Sequence, residues 1–410
     1  MRIHWIWLAT RPGLSDRKKL AILESIPDPE DVYLAGQQEI SAIPDLTEEE
    51  KAALLDKDLK DARKIVAICE EKDIQLCVLS DDNYPYRLKN IADPPLVLYY
   101  RGRLPNFDNA PAIGVVGTRK ASAYGLAAAR QLGFQMVRCG AIIVSGIAEG
   151  IDAAAMEGAL KAGGTVVGIL GSGADIVYPK CNRFLFADTR RHGCLISEFP
   201  PGTPPYKWNF PKRNRIISGL CNGVLVVEAP QQSGALRTAR WALEQGRDVF
   251  AVPGNVGVDT SEGTNALLHE GAMLARDGWD VVGEYAALYP GVVRRYDPRQ
   301  MPRLEQLGEG FGTKVAQEPK KPEKKPSSDK KNEKKPIDKE AKTTYSDRSS
   351  RLAQLSEAER QLVEQIGTEC LVDELIARAG LPAGKVLAML TMLEIRGFVK
   401  TLPGRRVKCV

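Results

Sequence analysis

Histidine is almost missing from this chain: His4, His192 and His269 are the only three in 410 residues. No Ser-His-Asp set stands out, and His269 falls on an expected helix, so nucleophilic hydrolase chemistry has no obvious carrier. The eight cysteines (69, 77, 139, 181, 194, 221, 370 and 409) form no CxxC pair, and a zinc site is not expected. Several sit in apolar runs, where a free thiol packs as a small hydrophobe, which suits a reducing cytoplasm. The chain lacks GxxxxGK[ST], which argues against a P-loop nucleotidase, and GSGADI (171–176) starts like a dinucleotide fingerprint but has no third glycine in place. No apolar run is long enough to cross a bilayer. IHWIWLA near the start is too short for a signal h-region, and no small-residue cleavage site follows it. The expectation is a chain with no cofactor, no metal and no membrane partner.

An excess of charge is also missing where it would matter. The formal net charge is +5, but residues 314–342 hold 11 lysines against 6 acidic residues and account for all of it. The remainder is formally neutral, so any nucleic-acid site must be a local patch.

What is present falls into four segments. Residues 1–72 carry helical apolar spacing in LSDRKKLAILESI and KDARKIVAICEEK, and a helix start at Asp45 and Thr47, which predicts a small helical (SAM-like) domain. Residues 73–305 alternate helical stretches with the apolar runs AIGVVG, AIIVSG, TVVGILG, CLISEF, GVLVVEA and DVFAVPG. Strands apolar nearly throughout are buried on both faces, so the fold class is α/β, a Rossmann-like doubly wound parallel sheet. Residues 306–350 are Lys-, Pro- and Ser-rich and read as a disordered linker. Residues 351–410 offer three helices and two short strands around a Pro-Gly turn, a C-terminal winged helix-turn-helix domain. Its third helix carries few cations and its wing carries Lys400, Arg405, Arg406 and Lys408, which fits DNA contact and protein docking equally.

In a doubly wound sheet, ligands bind beyond the carboxyl ends of the strands. Those ends here read Gly117-Thr118-Arg119-Lys120, then SGIAEGID with Ser145, Gly146, Glu149, Gly150 and Asp152, then GSGADIVYPKCN. Glycines at several such loops, each before a helix N-terminus, suit phosphate-bearing material. Asp152 and Glu228 could be acid/base groups, although such residues more often cap a helix. Beside these loops lies YKWNFPKRNR (206–215), with three aromatics followed by a basic run. Pro211 suits an early helical position, with the helix running to about Leu220. Advancing about 100° per residue sets Ile216, Ile217 and Leu220 on a buried face. Arg215, Ser218 and Gly219 then fall on the opposite side, with Asn214 flanking, Lys212 at the border and Arg213 among the apolar residues. Phosphates would meet Lys207, Lys212 and Arg215, while Phe210 or Trp208 offers a face for a base. Arg213 reads as a structural ion pair.

The ordered set GTRKASAYG, SGIAEGIDAAAMEGAL, GSGADIVYPKCN, SEFPPG, FPKRNRIISGL, SGALRTARWALEQGRDVFAVPG and EGTNALLHEGA resembles the DNA-processing protein A (DprA/Smf) family over about residues 80–280. DDNYPYRLKNIADPPLVLYYRG precedes it as an approach strand. The resemblance implies a protein that is not an enzyme. It would bind and protect single-stranded DNA, load the RecA recombinase in natural transformation and recombination, and form a homodimer through the Rossmann-like domain. By motif, it implies a phosphate contact at Arg119, a pocket lined by Ser145, Gly146 and Gly150, and DNA contacts from Lys207, Phe210, Lys212, Arg213, Asn214 and Arg215. For Arg213 this competes with the structural reading, and both stand. SGALRTA departs from the family pattern at Ala235 and Arg237, leaving that loop's role open. The alternative is a nucleotide-binding or nucleoside-monophosphate-hydrolysing Rossmann-like enzyme. That class uses a Pro-Gly-Gly-x-Gly-Thr-x-x-Glu loop, and APQQSGALRTA lacks its glycine pair and its glutamate.

Overall fold

The computed structural model describes residues 2–297 and, further on, 357–366, 369–381, 383–395, 398–402 and 406–409. The chain divides into two compact units, one up to residue 319 and one from residue 320.

The first unit opens with six helices: α1 (Arg2–Ala9), α2 (Asp16–Ser25), α3 (Pro29–Leu34), α4 (Gln37–Ala42), α5 (Glu48–Leu55) and α6 (Lys60–Glu71). Their starts are written locally. Ser15 caps α2, Asp28 caps α3 ahead of Pro29, and Thr47 forms a reciprocal capping box with Glu50 at α5. IHWIWLA falls within α1, which buries Ile6, Trp7 and Leu8. The core of these helices is continuous with Ile74, just before the sheet that follows, and with Val78, Val97 and Tyr99 within that sheet.

That sheet has nine strands. They are β1 (Gln75–Val78), β2 (Val97–Gly102), β3 (Ala112–Val116), β4 (Ile142–Ser145), β5 (Val166–Ile169), β6 (Cys194–Ser197), β7 (Gly223–Val226), β8 (Asp248–Ala251) and β9 (Met273–Leu274). Their spatial order is β1-β2-β6-β5-β4-β3-β7-β8-β9. All six expected apolar runs are strands, and β3 to β9 pair in parallel. The sheet is nevertheless mixed, because β2 runs antiparallel to both β1 and β6. β1 had no clear sequence signal, since QLCV is short and alternates poorly.

Helices cover both faces, as fully apolar strands require. One core holds α8 (Ala123–Arg138), α9 (Ile151–Lys161), α10 (Arg183–His192) and α14 (Gly278–Val282) against the sheet. The opposite core holds α7 (Tyr86–Lys89), α11 (Asn209–Leu220), α12 (Gly234–Glu244) and α13 (Asp259–His269). β3 lies at the centre of the seven parallel strands, with β4 on one side and β7 on the other. The chain therefore winds outward in both directions from β3, and the topological switch point falls at its carboxyl end.

The second unit has helices Glu357–Ile366, Val372–Ala379 and Ala383–Ile395 and a three-stranded antiparallel sheet of 369–371, 399–402 and 406–409. Gly380 ends the second helix in the left-handed region, at φ 63°. This is the expected winged helix, with one additional strand, 369–371, bringing the sheet to three. The Lys/Pro-rich linker expected over 306–350 and the turn at 403–404 lie outside the described residues.

Candidate nucleic-acid interface

At the carboxyl end of β3 the structure opens a cavity of about 820 Å³. Thr118, Arg119 and Lys120 come from the loop after β3, Ala148 and Asp152 from the β4–α9 segment, and Tyr178 from the loop after β5. Lys207 precedes α11, which adds Phe210, Pro211, Arg213 and Asn214, and the start of α12 adds Arg237. Arg119, Lys120, Lys207 and Arg237 are exposed and have no ion-pair partner among the described residues. The acids in the wall are Asp152, which is buried, and Asp259, which is exposed.

The aromatic element is Phe210. Arg119 and Arg213 place their guanidinium carbons 5.6 and 5.9 Å from its ring centre, and Tyr178 lies 5.6 Å from it, tilted by 42°. Arg119, Gly146, Glu149, Tyr178, Phe210 and Arg213 enclose a smaller recess of about 100 Å³ beside the main cavity.

Arg213 is only 4% exposed. Its Nη1 donates to the carbonyls of Gly146, at 3.0 Å, and Ile169, and its Nε donates to Asn214 Oδ1 at 3.1 Å. Burial pushes the Arg213 guanidinium down to about 10, with Asp152 acting against that shift and Arg119 adding to it. Backbone carbonyls hold it, with Asp152 nearby as the opposing charge. Its side chain nonetheless forms part of the cavity wall. Gly146 leaves room for this guanidinium, because a Cβ would come within 2.5 Å of Arg213 Nη2 and the buried head group would have to shift. Gly150 stands at φ 81°, which favours glycine, and caps α9 with its Cβ position blocked by the carbonyls of Thr118 and Arg119.

Three of the expected contacts are not where the sequence put them, and one is Gly150, which lines neither the cavity nor the recess. Ser145 does not line the cavity. It is fully buried, and its hydroxyl donates to the Val115 carbonyl at 2.6 Å, tying β4 to β3. Arg215 does not reach solvent either. It is 1% exposed and pairs with Glu198 at 2.7 Å, Asp93 at 2.9 Å and Asp16 at 3.6 Å. The expected exposed face of α11 is buried because the helix is covered twice. Ile216, Ile217 and Leu220 face the sheet, while Leu88 and Ile91 close on Gly219 and α2 brings Asp16 to Arg215.

Lys212 is half-exposed and shared, 2.7 Å from Asp16 and 3.6 Å from Glu198. Burial acts to raise the Asp16 carboxyl, but the hydrogen bond from Lys212 and the charges of Lys212 and Arg215 outweigh it and hold the group below its usual value. Asp152 and Glu228 act as backbone and loop anchors. Asp152 accepts from Gly146 N–H at 3.1 Å, and Glu228 accepts from Ser122 N–H at 2.8 Å and from the Thr260 hydroxyl at 2.7 Å. Sequence reasoning missed Tyr178, although an aromatic in a strand-end loop was a usable signal. It also left Arg237 without a role, and Arg237 lines the cavity.

The model of the family "DNA recombination-mediator protein A" matches residues 75–286, and that of the "DprA winged helix domain" matches residues 346–405. The chain is 41% identical to DNA processing protein DprA of Bacillus subtilis over 221 residues, 54% of this chain and 74% of that protein. It is 35% identical to protein Smf of Synechocystis over 346 residues, 82% of this chain and 80% of that protein. The structure of DNA processing protein A from Streptococcus pneumoniae superposes with a TM-score of 0.60 at 34% identity, covering 69% of this chain and 98% of that one. The matched region spans β1 to α14, including the cavity and every loop that builds it, and the chain belongs to the DNA recombination-mediator protein A (DprA/Smf) family.

Proposed function

We propose that this protein binds single-stranded DNA in the cavity at the carboxyl end of β3, without turning it over. The observation that carries the reading is the grouping of unpaired cations around one ring. Arg119 lies against Phe210, and Lys120, Lys207 and Arg237 stand around the same opening with no carboxylate partner among the described residues. Cations that track a phosphate chain, beside an aromatic face that takes any base, are what binding without sequence preference needs. Arg119 and Lys207 contact phosphate, Phe210 stacks a base, Arg213 and Asn214 form the wall, Gly146 lines the recess beside it, and Gly150 sets the turn that packs against the Thr118 and Arg119 carbonyls. Arg213 shapes that wall through the carbonyls it holds. Lys212 joins in when a phosphate displaces Asp16, and Arg215 and Ser145 support from behind.

Family membership supports the wider role. The protein protects single strands in the cytoplasm, passes them to the RecA recombinase during transformation or recombination, and acts as a homodimer through its Rossmann-like domain. Glu228 and Asp152 serve as anchors, which favours binding over nucleotide hydrolysis.

The test is a titration of single- and double-stranded oligonucleotides at several salt concentrations, with wild type and with Arg119→Ala/Lys207→Ala. For single strands log K should fall with log[salt] at about −0.7 per phosphate neutralised, and the double variant should flatten the slope by about 1 to 2 units. Unchanged binding in the variant would move the site to the linker or the winged helix. No binding by wild type would reject the reading.

A further inference from the structure

Tyr206 and Trp208 stack on each other beside the cavity, ring centres 4.7 Å apart and planes within 10°. They flank Lys207, which lines the cavity wall. Trp208 is 70% exposed and Tyr206 44%. Rings that served the core would be buried, as Trp7 is. Neither the Tyr206 hydroxyl nor the Trp208 indole N–H has a hydrogen-bond partner among the described residues, so folding does not account for holding the pair in water. α11 begins immediately after Trp208 and has no side-chain cap.

We propose that the Tyr206–Trp208 pair is a second base-stacking station, which takes the unpaired bases of the strand as it leaves the cavity past the start of α11. The inference rests on the single-strand reading of the cavity and adds the path of the strand beyond it. An aromatic pair already stacked presents a flat outer face to a base without further ordering, and such a face accepts any base. Lys207 decides between occupants. A lysine at the centre of the patch matches a phosphodiester, whereas the cores of protein interfaces are depleted of lysine. The same lysine joins the patch to the cavity, so one backbone can run through both.

Trp208 can report directly, because Trp5 and Trp7 are buried and Trp241 and Trp279 are half-buried. The full chain is titrated with oligothymidylates of about 4 and about 16 nucleotides while its intrinsic emission is followed. The long oligonucleotide should quench the emission and the short one should not. Trp208→Ala should abolish the quench and weaken the long oligonucleotide about 5- to 100-fold, leaving the short one unchanged. Thermal midpoints matching wild type would confirm that the exposed substitution leaves the fold alone. If wild type binds both lengths and Trp208→Ala weakens neither, the station is wrong and the cavity reading stands. An emission change on dilution without DNA would assign the patch to a second copy of the chain and overturn the proposal. Failure of wild type to bind either length would overturn both readings.

Discussion

Lys212 Nζ lies 2.7 Å from Asp16 Oδ2, so a lysine of the candidate DNA helix is already paired to a carboxylate from the amino-terminal helices. A phosphate approaching α11 must compete with Asp16 for that charge. Asp16→Asn should therefore raise affinity for single strands by a few fold, about 0.5–1 kcal/mol, and steepen the salt slope by about 0.7 as Lys212 joins the contacts. Oligonucleotide titration at two or more salt concentrations measures both.

Arg215 and Arg119 should separate cleanly. Arg215→Ala leaves Glu198 buried beside a missing partner and should cost about 3–5 kcal/mol of stability. Chemical denaturation reads that loss directly. Arg119 is exposed and unpaired, so Arg119→Ala should keep the denaturation midpoint and lose about tenfold in single-strand affinity, with a flatter salt slope. If Arg215→Ala flattened the slope at unchanged stability, the buried ion-pair assignment would be wrong.

The Asp16 cluster also predicts an acid limit. Its carboxyl is held below the usual 3.8 in the folded protein. The sign is that of a depressed acid. The stabilisation is full above that usual value and is lost as pH falls through the lower folded value. Comparing wild type with Asp16→Asn in denaturant from near neutrality into the acid range should show a stability gap that closes only at the acid end. A gap that stayed constant with pH would contradict the pairing.

Gly146→Ala probes the floor of the site. The new methyl would press on the Arg213 guanidinium and force it off the Gly146 and Ile169 carbonyls. A stability loss of about 1–3 kcal/mol is expected, together with weaker single-strand binding, because Arg213 also supports the Phe210 face. Normal binding with normal stability would show that Arg213 has room to move and that the floor is not fixed.

Much of this was legible without coordinates. The six apolar runs specified parallel strands because a strand buried on both faces needs no polar alternation, and the loops after them placed Arg119, Gly146 and Gly150 near one edge. Pro211 marked the start of α11, and Ile216, Ile217 and Leu220 marked its inner face. Periodicity gives the angles between side chains around a helix, but it does not say how many neighbours that helix has. α11 has the sheet on one side and α7 with Asp16 of α2 on the other, so Arg215 and Ser218 are buried where a single apolar stripe would leave them in water.

Long-range pairing decided the rest. Ser145 sits at the end of β4, and whether its hydroxyl faces the cavity or the neighbouring strand depends on the pairing of β4 with β3. Tyr178 joins Phe210 only because the loop after β5 meets the first turn of α11 above the same sheet edge. Composition and local spacing determined the elements and the edge at which the chemistry collects. Only the tertiary structure decided which arginine faces solvent and which is spent on carboxylates, because that choice depends on Asp16, Asp93 and Glu198, residues distant in sequence that folding brings to Arg215.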